Sequence, residues 1–249
     1  IDDIQTKKGM KKQTKIDFAL RDSSIFETEK LVIRKTGDRL ICSYDDSNYY
    51  FDTLVHGIYK CHSDYDLKFL LAILNSNPGT YFYRCLHDIK GKVFAKISLD
   101  DLSNFPIPIL DESNKVSFSE IVSYANNMLS LSKQRQEKRN RFLRRLSDNF
   151  EGIKITGILS IFEQLEFADF LKELKKQKIT LKLSQQDEWE EYFNDYRSAC
   201  RQLSEQIAKT DKEIDLRVYK LYGLTYDEVL IVDADFSVSR DEYDSYRLL

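Results

Sequence analysis

Proline and glycine are scarce, with three and eight residues in a chain of 249. Pro78, Pro106 and Pro108 are never adjacent, so the Asn/Asp-Pro-Pro-Tyr/Phe motif that holds a flipped adenine in an N6-methyltransferase is absent. The glycines build no strand–turn–helix loop able to cradle a phosphate or dinucleotide. Cys42, Cys61, Cys85 and Cys200 are scattered without paired spacing. They read as reduced thiols of a cytoplasmic protein rather than as a disulfide framework. His56, His62 and His87 lie near Cys61 and Cys85 without zinc-ligand spacing, so no metal is expected. There is no Gly-x-Ser-x-Gly, and no Pro-Asp ahead of a Glu-x-Lys as a metal-dependent nuclease would carry. The pairs Asp45-Asp46 and Asp100-Asp101 read as turn and helix-cap residues. No apolar run approaches a membrane span, and no signal peptide is visible. The residues thus carry no catalytic constellation, and the start at Ile1 leads us to expect a piece of a longer protein.

What is present is a core. Hydrophobic residues make up 42% and aromatics 12% of the chain, enough for one large domain or two smaller ones. A net charge of −3 argues against a generally basic nucleic-acid binder but leaves room for local positive charge.

The stretch 65–109 is the most telling. Leu67, Leu70, Leu71 and Leu74 recur at helical spacing, predicting a helix over 66–76 with Ser63 and Asp66 as a capping box. Asn77-Pro78 opens a second helix, with Asn77 as N-cap and an apolar stripe of Tyr81, Phe82, Cys85 and Leu86. A basic loop follows (His87, Lys90, Lys92, Lys96, with Gly91 at its tip). Ser98-x-x-Asp101 starts a helical turn that exits through Phe105-Pro106-Ile107-Pro108-Ile109, held extended by its prolines.

Upstream, residues 1–22 are polar and lysine-rich and read as a linker or arm. Leu31-Val32-Ile33 and Leu40-Ile41-Cys42 flank a Thr36-Gly37-Asp38 turn and predict a hairpin. Tyr49-Tyr50-Phe51 and residues 55–61 continue the aromatic and β-branched enrichment.

Downstream, Ser117-x-x-Glu120 predicts a helix start, followed by Ile121, Val122, Ala125, Met128 and Leu129 on one face. The same helix carries Lys133, Arg135, Lys138, Arg139, Arg141, Arg144 and Arg145 against Glu137. That run is either a solvated face or a contact for phosphates. Residues 150–182 continue helical. Trp189, Phe193, Tyr196, Cys200, Leu203, Ile207, Thr210 and Ile214 then alternate by four and three, a heptad seam. It predicts antiparallel pairing with the 117–146 helix rather than a ligand-stacking ladder. Gly223 suits a helix C′ position and Thr225-x-x-Glu228 a last capping box. The acidic 233–244 stretch reads as a mobile tail.

The order LLAILNS, second helix, basic loop and N-F-P-I-P-I resembles the TaqI-like C-terminal specificity domain. This is the target recognition domain of adenine-N6 DNA methyltransferases and type IIG restriction–modification enzymes, with more distant kinship to type I specificity subunits. The hairpin strings Lys30-Leu31-Val32-Ile33-Arg34 and Asn48-Tyr49-Tyr50-Phe51-Asp52 fit that pattern. So does the closing string Ile214-Asp215, Val218-Tyr219, Leu221-Tyr222-Gly223-Leu224-Thr225, Glu228 and Ile231-Val232.

Together these readings give an α+β class: a small mixed sheet with a helix pair, followed by a long-helix antiparallel bundle or coiled-coil spacer. The expected division is an arm (1–22), a recognition domain (23–112), a helical spacer (113–232) and an acidic tail (233–249). Base edges are read by Arg, Lys, Asn, Gln and acids, while phosphates fix the register. The turn residues Lys35, Thr36 and Arg39 and the loop residues Tyr44, Asp46 and Asn48 offer donors and acceptors for bases. Arg84, Lys90, Lys92 and Lys96 offer charge for phosphates. The resemblance puts the family's recognition loops in these same two regions. Tyr50, Tyr81 and Phe105 read as core. The resemblance further implies double-stranded DNA as partner and a bacterial or archaeal cytoplasmic setting. It implies a methyltransferase in cis, using S-adenosylmethionine, and Mg if a nuclease is also joined. A specificity subunit docking a methyltransferase in trans, or a protein–protein adaptor built on the heptad helix, are the alternatives.

Overall fold

Strand β3 (Lys30–Arg34), with Lys30, Leu31 and Ile33 buried and Arg34 exposed, forms the centre of a three-stranded sheet. In this computed structural model, residues 3–6, 9–12, 22–59, 65–87 and 96–247 are described. They divide into two units, Ile1–Ile109 and Leu110–Leu249.

In the first unit, β1 (Asp3–Thr6) pairs with β2 (Gly9–Lys12), so the expected linker contains a hairpin. β3 lies between β4 (Cys42–Asp45) and β5 (Val55–Ile58), antiparallel to both. The α+β class holds, but among the described residues the sheet is antiparallel rather than mixed. Parallel partners need a long crossover, and here β4 and β5 are each paired only with the strand between them. Their connection, 46–54, returns along the sheet from one end of β3 to the other.

The register puts Leu31 and Ile33 on one face with Cys42, Tyr44, His56 and Ile58. Helix α1 (Leu67–Asn75) contributes Phe69, Leu71, Ala72, Ile73 and Leu74 to the core of this unit. The Asn75 amide receives the Cys42 N–H and donates to the Cys42 carbonyl, both at 2.9 Å, occupying the open edge of β4 as a strand would. On the other face Gly57 has no side chain because the Phe51 ring is there: a Cβ at Gly57 would lie 2.5 Å from it.

Two caps differ from expectation. Asp66 caps α1 through the Lys68 N–H, while Ser63 lies outside the described residues. Ser76, not Asn77, caps α2 (Asn77–His87): its hydroxyl accepts from Gly79 N–H at 3.1 Å. The Ser98–Asp101 capping box on α3 (Leu99–Ser103) is as predicted.

The second unit is built on α4 (Lys115–Asn149) and α6 (Leu183–Leu221). Contacts Tyr124–Arg217, Asn127–Thr210, Arg135–Ser204 and Phe150–Trp189 descend one helix as they climb the other, so the pair is antiparallel. The heptad residues Phe193, Cys200, Thr210 and Ile214 are buried. Helix α4 starts at Lys115 behind Asn114, which leaves Ser117 buried inside the helix rather than capping it. Between the long helices, a 3-10 turn (Leu159–Gln164) and α5 (Phe167–Lys176) close an aromatic core of Phe142, Phe162, Phe170 and Phe193. Trp189, Tyr192 and Tyr196 pack against it, which makes them core and not a ladder.

Gly223 ends α6 at φ +67, with Leu224 N–H on Tyr219 O and Gly223 N–H on Lys220 O, the predicted C-cap. The predicted mobile tail is instead folded. α7 (Tyr226–Val232) and α8 (Arg240–Ser245) enclose Tyr219, Val229 and Tyr243. Tyr243 donates to Leu224 O at 2.6 Å, and Arg240 pairs with Asp227. The aromatic surface of Phe236 and Tyr243 outweighs the acids around them.

Candidate nucleic-acid interface

Of the ten residues singled out in the sequence, the eight that are described fall at opposite ends of β3. Lys35, Thr36, Arg39, Arg84 and Lys96 gather at the Arg34 end; Tyr44, Asp46 and Asn48 sit at the Lys30 end, roughly 14 Å away at about 3.4 Å per residue. Lys90 and Lys92 lie outside the described residues.

The first end is a turn anchored from three sides. Lys35 donates its backbone N–H to Leu54 O at 3.0 Å and its Nζ to Thr53 O at 2.8 Å. Thr36 bridges to Lys96, and Ile97 N–H returns to Lys35 O at 2.8 Å. The buried His56 places Nε2 2.9 Å from Ile97 O, tying β5 to the same segment. Arg84 crosses from α2 to bond both the carbonyl and the carboxylate of Asp38 at 3.0 Å. Leu40, buried behind the turn, fixes its base. Arg39 and Lys96 are exposed, and neither pairs with a carboxylate among the described residues. An anchored turn carrying a free guanidinium and a free ammonium suits recognition because little backbone ordering remains to be lost on binding.

Lys35 and Arg84 are therefore occupied in holding the turn, whereas the side chains of Arg39 and Lys96 are exposed and have no ion-pair partner among the described residues. Arg34, at the open end of β3, is a further exposed cation on this side. Its place was visible in the period-two alternation, which turns it away from the Leu31 and Ile33 face.

The second end is acidic and internally bonded. Tyr44 is half-buried, with Lys68 Nζ 5.2 Å from its ring centre. Burial raises its hydroxyl above the ordinary tyrosine value, aided by a hydrogen bond to Glu29 and by the charges of Glu29, Asp46 and Asp66. Asp46 accepts from Ser47 Oγ at 3.0 Å. Asn48 adopts φ 60, the left-handed conformation that asparagine tolerates best among residues with a side chain. Asp45 holds the loop by accepting from Ser47 N–H and Tyr49 N–H. Tyr49 and Tyr50 are 71% and 62% exposed, which corrects the reading of Tyr50 as core. Tyr50 instead stacks on Phe26 at 4.7 Å and donates to Glu27 at 2.6 Å. Phe105, by contrast, is buried as expected.

Among the described residues no group of three or more His, Cys, Asp or Glu is arranged to hold a metal ion. No described helix is long and apolar enough to cross a membrane. Cys42 and Cys200 are buried free thiols, and burial pushes Cys42 up to about 12.

Residues 4–107 match the family model of the TaqI-like C-terminal specificity domain, and residues 114–218 match a domain of unknown function (DUF8810). Neither a curated protein nor a solved structure matches the chain. The first match spans the three-stranded sheet, the helix pair, the anchored turn and the start of the proline exit, beginning inside the β1–β2 hairpin. The N-terminal unit of this chain is a TaqI-like C-terminal specificity domain, a DNA-recognition module of restriction–modification enzymes.

Proposed function

We propose that the chain is the sequence-reading module of a type IIG-like restriction–modification adenine methyltransferase. In this reading it is not catalytic itself and directs methylation, with or without cleavage, by a domain in the same polypeptide. That domain would flip the adenine and take the methyl group from S-adenosylmethionine; this chain would choose the site. The observation that carries the reading is the anchored β3–β4 turn within the specificity-domain match, with Arg39 and Lys96 left free beside it. Arg39 can form a bidentate pair with guanine in the major groove, worth roughly 1–3 kcal/mol of discrimination. Lys96, with Lys90 and Lys92 shortly before it in the sequence, would bind phosphates and fix the register. Tyr44, Asp46 and Asn48 have a weaker case, since their end of the sheet is acidic and Tyr44 and Asp46 are already hydrogen-bonded there.

Selection of bound duplexes from a randomised pool tests this. An enriched motif of several base pairs supports the reading; binding of all sequences equally, or of none at low salt, rejects it for the isolated chain.

A second reading, a specificity subunit docking a separate methyltransferase, draws on the length of the α4–α6 pair. Co-purification with a methyltransferase chain, against an Asn-Pro-Pro-Tyr motif in the same reading frame, separates the two.

A further inference from the structure

The cations of α4 between Lys133 and Arg145 divide into two sets. Those turned toward the rest of the helical unit are used: Arg139 pairs with Glu163, and Arg135 donates to Ser204 Oγ at 3.3 Å. On α6, Arg197 and Arg201 likewise reach Glu166, and Arg201 also donates to Glu163 O at 2.8 Å. The outward set is different. Lys133, Lys138, Arg141, Arg144 and Arg145 are all exposed, and none pairs with a carboxylate among the described residues. Among the described residues Lys138 lies over the Tyr196 ring and Arg145 is hydrogen-bonded to the Tyr192 hydroxyl. Between them stand Gln134, Gln136 and Asn140, also exposed, and a single acid, Glu137.

The inward arginines therefore account for the acids near them, and the outward charge is surplus to folding. Unpaired like charges on one helix repel each other and cost stability unless something neutralises them. Lys133, Arg141 and Arg144 share one face at 3.6 residues per turn. From Lys133 to Arg145 the helix runs about 18 Å, at 1.5 Å per residue. A duplex presents roughly ten phosphates over that length. Lys and Arg interleaved with amide side chains, with almost no acid, are the donors that contact a phosphate backbone.

We infer that the outward face of α4, centred on Lys133, Arg141 and Arg144, is a second DNA contact that grips duplex phosphates without reading sequence. The inference rests on the reading of the first unit as a DNA-recognition module and extends it. One unit supplies discrimination, the other sequence-independent affinity. The occupant is duplex DNA because that is the polyanion the neighbouring unit recognises. An acidic protein surface would be equally compatible with the charge, and the test separates it.

The test uses the full chain with Lys133→Gln, Arg141→Gln and Arg144→Gln combined, titrated against a selected duplex and a scrambled one over a range of salt. A control chain loses the same charge elsewhere, through Lys175→Gln, Lys209→Gln and Lys212→Gln, all exposed. The slope of log affinity against log salt should fall by about 2–3 in the α4 variant, close to one for each phosphate that is no longer neutralised. Affinity for both duplexes should fall by about tenfold or more at low salt, with their ratio unchanged. The control should keep the wild-type slope. An unchanged slope in the α4 variant overturns the inference, as does an equal fall in the control, which would mean that only net charge matters. A wild-type chain that binds both duplexes equally rejects the sequence-reading proposal but leaves the slope comparison intact, so the two failures are distinguishable. Circular dichroism of each variant confirms that the helices persist.

Discussion

Lys30 and Asp45 face each other across β3 and β4 with their charged atoms 2.6 Å apart and almost no surface left to solvent. The ammonium also donates to Phe26 O at 2.6 Å and to Thr28 O at 3.3 Å, so a buried charge has three acceptors. Asp45 in turn holds the 46–49 loop through two backbone N–H groups. This pair thus links the turn before β3 to the loop after β4. Lys30→Met is expected to destabilise the first unit by about 3 kcal/mol, the lower end for breaking a buried pair, because those two N–H donors remain. Hydrogen exchange at the β3 and β4 amides measures it separately from the helical unit.

The same carboxylate makes that stability pH-dependent. Burial works to raise Asp45, but the Lys30 hydrogen bond, the Ser47 and Tyr49 N–H groups and the Lys30 charge outweigh it, and the net shift is downward. A carboxylate lowered on folding contributes fully above its unfolded value, about 3.9, and loses that contribution as pH falls through the folded value. Wild type and Asp45→Asn should therefore differ in sheet stability by a constant amount at pH 6–7 and begin to converge only as pH falls below about 4. Convergence at neutral pH would reject the pair as a source of stability.

Gly57 of β5 lies against the Phe51 ring of the returning 46–54 connection. A methyl group there would lie 2.5 Å from Phe51 Cζ. Gly57→Ala should displace the ring and cost about 1–3 kcal/mol, as overpacking does. Phe51→Leu in the same chain should return part of the loss. If the two changes simply add, Phe51 does not fill the space over Gly57.

Helix ends show where sequence reading succeeds and where it stops. Gly223, the Thr225–Glu228 box and the Ser98–Asp101 box were legible because each motif satisfies its own orphan backbone groups locally. Ser117–Glu120 had the same letters, but an earlier turn, Asp111 to Asn114, already starts α4, and no local rule ranks the two. The heptad seam was legible because its period survives tertiary packing. The separation of Lys35 and Arg39 from Tyr44 and Asn48 was not, since it depends on which direction β4 carries the chain. The folded C-terminus was missed because counting acids says nothing of two aromatic rings finding Tyr219 and Tyr226.

Lys178 follows α5 in the left-handed conformation, φ 64, while Ile179 N–H reaches back to Leu174 O at 3.1 Å. This is the geometry that glycine serves at Gly223, here adopted by a residue with a Cβ. The strain is about 1–2 kcal/mol, and the side chain is exposed with no role in the aromatic core. Lys178→Gly should stabilise the helical unit by about 0.5–1 kcal/mol after the extra unfolded-state entropy of glycine is charged against it. Gly223→Ala should do the reverse. Thermal melts followed at 222 nm compare both with wild type.

Arg39 and Arg84 make opposite predictions although both are exposed arginines at one end of the sheet. Arg84 is committed to Asp38, so Arg84→Ala should loosen the turn and weaken selected and scrambled duplexes by different amounts, since a mobile turn loses discrimination first. Arg39 holds nothing in place, and Arg39→Ala should leave the turn's amide protection untouched. Its expected effect is confined to binding: a loss of about 1–3 kcal/mol on the preferred duplex and relaxed choice at a single base pair. Lys96→Gln should instead lower affinity for every sequence evenly and reduce the salt slope by about one. Selection from a randomised pool, repeated with each variant, reads all three. A motif that survives Arg39→Ala unchanged at every position would remove Arg39 from base readout and shift attention to Lys90 and Lys92.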